Sequence, residues 1–161
     1  MKVKPTGRVQ GNEIVIERMF DASIEDVWKS VTESEQTAKW FGGWRGEPGP
    51  GKTIELQLVH EKGEPWVNIL IVECKAPERL VVEMKDDHGL WRIETTLTRL
   101  SGKTKLGFVQ PLTDPGLAGD VGPGWEYYLD MLAAVREGRS LPSFEDYYPA
   151  LKPHYMAEKL G

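Results

Sequence analysis

Cysteine is almost missing from this chain: Cys74 stands alone among 161 residues. No internal disulfide can form, and a reducing compartment is expected. Cys74 lies in an apolar run with no neighbouring cation or expected helix start to lower its pKa, so it reads as a small buried hydrophobe rather than a reactive thiol. Long hydrophobic runs are missing too. No window approaches the roughly 20 apolar residues of a membrane span, and Met1-Lys2-Val3-Lys4-Pro5-Thr6-Gly7-Arg8 leads into no apolar segment of signal-peptide length. A soluble, cytoplasmic protein is the expectation. Basic runs are absent and the formal charge is −5, which argues against a phosphate-tracking surface and against nucleic acid as a partner. There is no glycine-rich phosphate loop, no cysteine pair, no His-Glu-x-x-His and no Gly-x-Ser-x-Gly elbow. Those absences argue against nucleotide-driven and metal-dependent hydrolytic chemistry, and no cofactor or metal is expected.

What is present is a series of short alternating segments followed by one long helical pattern. Asn12 to Phe20 alternates and reads as a first strand. Ser23, with Asp26 three residues on, starts a helix carrying Ile24, Val27, Trp28 and Val31, and Ser34 caps a second short helix with Ala38, Trp40 and Phe41. Gly42 to Gly51 is too rich in glycine and proline for regular structure and leaves Trp44 in a loop. Strands follow at Thr53 to His60, Trp66 to Cys74, Arg79 to Lys85, Leu90 to Leu100 and Thr104 to Gln110. Their connections are short, with Asp86-Asp87-His88-Gly89 as a tight hairpin, which favours an antiparallel meander.

Pro111 to Asp120 reads as a loop into the helix Gly122 to Glu137. Pro123 suits its first turn and Gly138 the left-handed residue past its end. At helical spacing Trp125, Tyr128, Leu129, Leu132 and Val135 share one side, with Glu126, Asp130 and Glu137 on another. The tail 139–161 is broken by prolines yet carries Phe144, Tyr147, Tyr148, Leu151, Tyr155 and Met156, too many aromatics for a disordered end. It is expected to run over the domain, where the doubly apolar strand Trp66 to Cys74 offers a surface, or onto a second copy to make a homodimer. At this length one domain is expected over 1–161, its core at about 12–138.

The order of elements is that of a helix-grip fold, in the α+β class: a curved antiparallel sheet of about six strands wrapped around a long C-terminal helix, with two short helices after the first strand. Ile14 to Trp28, Thr37-Ala38-Lys39-Trp40-Phe41, Ala76-Pro77-Glu78-Arg79-Leu80-Val81 and Gly124-Trp125 with Leu129, Leu132 and Gly138 resemble the START-like (SRPBCC, Bet v 1-like) superfamily. Within it, they resemble the branch related to the activator of Hsp90 ATPase. The resemblance implies a deep apolar cavity between sheet and helix. It fixes fold more than function, because its members include lipid and hormone carriers, polyketide cyclases and dehydratases, and co-chaperones. The long loop before the helix and the aromatic tail depart from the shorter family pattern.

Candidate ligand-binding residues are Trp125, Leu129, Leu132 and Arg136 on the helix and Trp66, Trp91 and Trp44 around it. Arg136 lies one turn beyond Leu132, so the wheel puts a guanidinium on the inward stripe. Its plain reading is a snorkelling side chain at a helix end, and its functional reading is a partner for a ligand carboxylate or phosphate. The tryptophans read first as packing, with Trp44, Trp66 and Trp91 placed where an aromatic can border a pocket entrance. His60 reads as a surface histidine or as a general base at the cavity mouth, and His88 as a solvated turn residue or part of an exposed metal site with Asp86 and Asp87. Three functions remain, in order: a module binding a small apolar or amphipathic molecule, a cavity enzyme of cyclase, dehydratase or hydrolase type, and a chaperone-associated partner protein.

Overall fold

The structure, a computed structural model, describes residues 3–87 and 89–159. Its strands are β1 (Arg8–Gln10), β2 (Glu13–Phe20), β3 (Trp44–Arg45), β4 (Thr53–Gln57), β5 (Trp66–Lys75), β6 (Arg79–Asp86), β7 (Gly89–Leu100) and β8 (Lys103–Pro111). Its helices are α1 (Ile24–Thr32), α2 (Ser34–Thr37), α3 (Ala118–Glu137) and α4 (Lys152–Lys159). One curved, unclosed antiparallel sheet runs in the order β1-β2-β8-β7-β6-β5-β4-β3, and α3 lies along its concave side. The helix-grip architecture is as expected, but the sheet has eight strands rather than about six. The two additions include β3, with two residues, and β1, with three; both are too short to show a period in sequence.

Alternation does most of the local work. Ile14, Ile16 and Phe20 of β2 are buried while Glu13, Glu17 and Met19 between them are exposed. Ser23 caps α1 as expected, its hydroxyl accepting from the Asp26 N–H at 3.1 Å. Ser34 behaves differently from the expected cap. It sits inside α2, and its hydroxyl accepts from Trp44 N–H and donates to Trp44 C=O, both at 2.8 Å, which ties β3 to the helix pair. On the convex face Val81 is fully buried at 0 % exposure, because Glu73, Arg79, Glu94, Arg92 and Glu83 form a chain of ion pairs over it.

The long helix begins earlier than its sequence suggests. Asp114 accepts from the Gly116 N–H at 2.8 Å and sets a 3-10 turn at Pro115–Leu117, which runs directly into α3 at Ala118. Pro123 therefore lies inside the helix, where it removes one intrahelical donor. The glycines that obscure this start have a packing use. A Cβ on Gly122 would lie 2.6 Å from Tyr155 ring atoms, and one on Gly119 2.7 Å from the Met156 side chain. Their bareness lets α4 approach α3, and tertiary contact overrides their low helix propensity. At the other end Gly138 takes the expected left-handed conformation, φ 65°.

The tail does not dock on β5. It packs on α3 and β1 of its own chain, burying Tyr147, Leu151 and Tyr155. β5 keeps Ile69 and Ile71 inward while Leu70 and Val72 remain exposed, so its doubly apolar sequence reflects an uncovered outer face. Cys74 is exposed rather than buried, although its partial burial still pushes the thiol pKa up. His88, with the metal reading built on it, lies outside the described residues.

Candidate functional site

Two apolar clusters occupy the concave side. The larger joins β2, β7 and β8 to α1, α3 and the tail; the smaller has Ile54, Ile69 and Ile71 at its centre, with Trp44, Leu56, Val67, Leu80, Val82 and Met84 half-buried around it. Of the long strands, β2 is the one that the α3 backbone approaches most closely. The smaller cluster is a separate apolar face on β4 to β6, and among the described residues no α3 side chain packs on it. Where α3 meets the sheet, the rings of Phe41, Phe108, Trp125, Tyr127, Tyr128 and His60 form one continuous group.

Each ring is brought there by a different element. Trp125 is fixed by its indole N–H, which donates to Gln110 Oε1 at 2.6 Å, and it packs on Phe108 of β8 with centroids 4.6 Å apart. Phe41, just past α2, lies parallel to Trp125 at 5.7 Å. Tyr128 is the hub, with Phe41 at 4.5 Å, Tyr127 at 5.4 Å, Trp125 at 5.6 Å and His60 at 5.7 Å. The turn after β4 delivers His60; its base is held by buried Leu58, whose N–H donates to Pro65 C=O at 2.8 Å. Burial, helped by the nearby Glu61 carboxylate and the Tyr127 phenol, pushes the Tyr128 pKa far above the ordinary tyrosine value. Tyr128 is thus a protonated donor at neutral pH, and among the described residues its hydroxyl has no hydrogen-bond partner.

The cations beneath the helix are already engaged. Arg136 bonds the Asp26 carboxylate and the Ser30 hydroxyl, joining α1 to the end of α3. Arg18 bonds Asp130 at 3.0 Å and Glu126 at 3.3 Å. Glu126, expected on a polar side of the helix, is 1 % exposed. Its carboxylate accepts from the Thr6 N–H at 2.9 Å, the Gly7 N–H at 3.1 Å, and the hydroxyls of Thr6 and Tyr155 at 2.6 Å. Burial alone would raise its pKa, but the bonds from Thr6, Tyr155 and Gly7 outweigh it and hold the carboxyl below its usual value. Tyr147 adds a hydroxyl on Asp130 at 2.7 Å. This group fastens the N-terminal segment and the tail to α3, and it meets the ring group where Tyr147 packs on Tyr127 with centroids 5.6 Å apart.

The sequence-derived candidates separate accordingly. Trp125 belongs to the ring group, Leu129 and Leu132 are buried below it at 2 % and 0 % exposure, and Trp44 borders the smaller cluster with its indole N–H on Thr32 C=O at 2.8 Å. Trp91 lies half-buried on β7 beside a void of about 10 Å³ lined by Gln110, Leu112, Leu117 and Val121. Trp66 stands at the strand edge with Arg45 stacked 3.8 Å over it. Arg136 is at the α1 contact. Phe41, Phe108 and Tyr128 are not among the candidates, although strand alternation turns Phe108 inward and the helical wheel sets Tyr128 on the inward stripe. A pocket of about 320 Å³ lies under the tail between Val3, Pro5, Ala150, Leu151 and His154.

A bent, open antiparallel sheet with two small helices after its first long strand and a long helix across its hollow is the helix-grip arrangement of START-like proteins. The chain belongs to the family of Activator of Hsp90 ATPase homolog 1-like proteins, whose description matches residues 21–137. Its fold is similar to that of CalU16 from Micromonospora echinospora, at TM-score 0.77 and 23% identity over 96% of this chain and 95% of that one. The protein encoded by gene BPP1335 from Bordetella parapertussis is similar at TM-score 0.78 and 19% identity, covering 95% and 92%. DynU16, described as a protein in the dynemicin biosynthetic locus, is similar at TM-score 0.68 and 18% identity, covering 87% of this chain and 51% of that one. No curated protein matches the chain. Among the described residues, no helix is long and apolar enough to cross a membrane.

Proposed function

We propose that this protein binds a small apolar or amphipathic molecule in the gap between α3 and strands β4 to β6. The observation that carries the reading is the separation of the two apolar clusters. Half-buried Leu56, Val67, Val82 and Met84 pack on the smaller cluster, while Trp125, Tyr128 and Phe41 pack on the larger. Covering such a face releases water at roughly 25 cal/mol per Å² of apolar surface, so a ligand of modest size gains several kcal/mol from burial there. Of the remaining candidates, Trp44 fits the smaller cluster, and Leu129 and Leu132 support Trp125 from below. The test is native mass spectrometry of the purified full chain together with a thermal-shift screen of apolar compounds. Co-purified mass or a rise in Tm is expected. A chain that carries nothing and is stabilised by no compound would sink the reading.

A cavity enzyme is the second reading, and the contact of His60 with Tyr127 and Tyr128 favours it. It requires a bound compound to be converted, with conversion lost and binding kept in His60→Ala. The buried carboxylate of Glu126 lends it no support, since all its neighbours belong to the tail side.

A further inference from the structure

Gln110 is 3 % exposed and follows Thr104, Leu106 and Phe108 on the inward face of β8. Chemistry sets which way its amide turns. An indole N–H only donates, so the amide atom that meets Trp125 Nε1 at 2.6 Å is the oxygen. The NH2 end is left over, with two donors and no hydrogen-bond partner among the described residues. It is not sealed in, because among those residues no fully enclosed side-chain polar atom lacks a partner. Its accessible face belongs to the pocket of about 10 Å³ beside Trp91, the size of roughly one water.

The other polar side chains on that pocket lean the same way. The Trp91 indole N–H and the Thr113 hydroxyl have no partner among the described residues either, and of the three groups only the hydroxyl can also accept. Leu112, Leu117 and Val121 add apolar wall, exposed Leu90 marks the mouth, and no ionisable side chain among the described residues lines the space. A charge placed there would lose its hydration without gaining a counter-ion.

We infer that this pocket is a site for one uncharged oxygen acceptor held by the Gln110 amide: a water oxygen, or the carbonyl oxygen of a small ketone whose carbon body rests at the mouth beside Leu90. The site is separate from the apolar face on β4 to β6, and neither reading depends on the other. An acceptor returns to the amide what burial took from it. It also bears on Trp125 through a single side chain, since polarising the NH2 group strengthens the oxygen that holds the indole.

The test is nuclear magnetic resonance on the 15N-labelled full chain, with the Gln110 NH2 signals identified by their loss in Gln110→Glu, which keeps an oxygen for Trp125 and removes the donors. A held water should give cross-peaks to these protons of opposite sign in NOE and ROE spectra, which separates contact from proton exchange; exposed Gln10 should give none. Cyclopentanone and cyclopentane are then titrated in. A ketone that removes the water contact, shifts the Gln110 NH2 signals and binds about fivefold tighter than the hydrocarbon, the usual return on one neutral hydrogen bond, assigns the site to a ligand oxygen. A water contact that the ketone leaves intact assigns it to water. Val121→Ile adds a methylene to the pocket wall with Gln110 in place, so it should abolish the water contact and the ketone shift alike. Gln110 signals with no water contact and no response to the ketone, equal binding of cyclopentane, or effects that survive in Val121→Ile overturn the inference.

Discussion

Replacing Glu126 by glutamine tests how the tail and the N-terminal segment are held. The carboxylate receives five donor groups: the N–H and hydroxyl of Thr6, the N–H of Gly7, the hydroxyl of Tyr155 and the guanidinium of Arg18. Glutamine keeps one acceptor oxygen and turns the other position into a donor. The two hydroxyls can rotate and accept from the new amide, whereas one backbone N–H and the Arg18 contact cannot adapt. Each stranded donor costs about 1–3 kcal/mol, so Glu126→Gln should lose about 2–5 kcal/mol. Against a total stability of roughly 8–15 kcal/mol and a urea slope of about 2 kcal/mol per M, that moves the unfolding midpoint down by about 1–2.5 M. Amide exchange should quicken first in β1 and α4. The wild type has a matching acid dependence. Because the folded carboxyl sits below its ordinary value, its contribution is complete above the unfolded pKa and is lost as pH falls through the folded one. The variant should therefore show a flatter stability curve below about pH 4.5. A midpoint shift under about 0.3 M, with tail amides still protected, would refute the assigned role.

Gly122→Ala places a methyl 2.6 Å from the Tyr155 ring; overpacking of about 1–3 kcal/mol should exceed the helix-propensity gain of about 1 kcal/mol, and urea unfolding would read the net loss. Arg136→Ala should loosen α1 and cost about 1–2 kcal/mol, mainly through the Ser30 bond, since Asp26 is largely solvated. Unchanged stability in that variant would contradict the contact. Tyr127, Tyr128 and Tyr147 have pKa values raised above 10.0, each by burial first, with the Asp130 bond adding to Tyr147. Their stabilisation holds below the unfolded value and is lost as pH rises past it, so absorbance at 295 nm should stay incomplete until the protein unfolds in alkali. Full ionisation of all five tyrosines near pH 10 with the fold intact would count against the burial described.

Local signals carried far into this fold. The Ser23 cap, the left-handed Gly138 and the strand alternation of Ile14, Ile16 and Phe20 each depend on residues a few positions apart, and each is visible in sequence. The start of α3 was hidden because Gly119 and Gly122 read as helix breakers, and only the arrival of Tyr155 and Met156 gives their bareness a purpose. Glu126 was placed on a polar side for the same reason. Its partners lie 119 and 120 residues upstream and 29 downstream, so no window could show that this side is covered. Of the candidate site, Trp125 was legible from the helical wheel, and Tyr128 lay on the same stripe without being singled out. Phe41, Phe108 and His60 join them only through the crossing of three separate elements. Arg136 was rightly set on the inward stripe, yet what it meets there is Asp26 and Ser30 on α1.

The outermost strands, three residues at one margin and two at the other, have a bearing on assembly. An unclosed sheet normally invites a neighbouring chain to extend it by backbone pairing. Strands β1 and β3 themselves each offer a rung or two at most before their ladders end. A second copy pairing through either of them would gain little from backbone bonds, so side chains must supply most of the adhesion there.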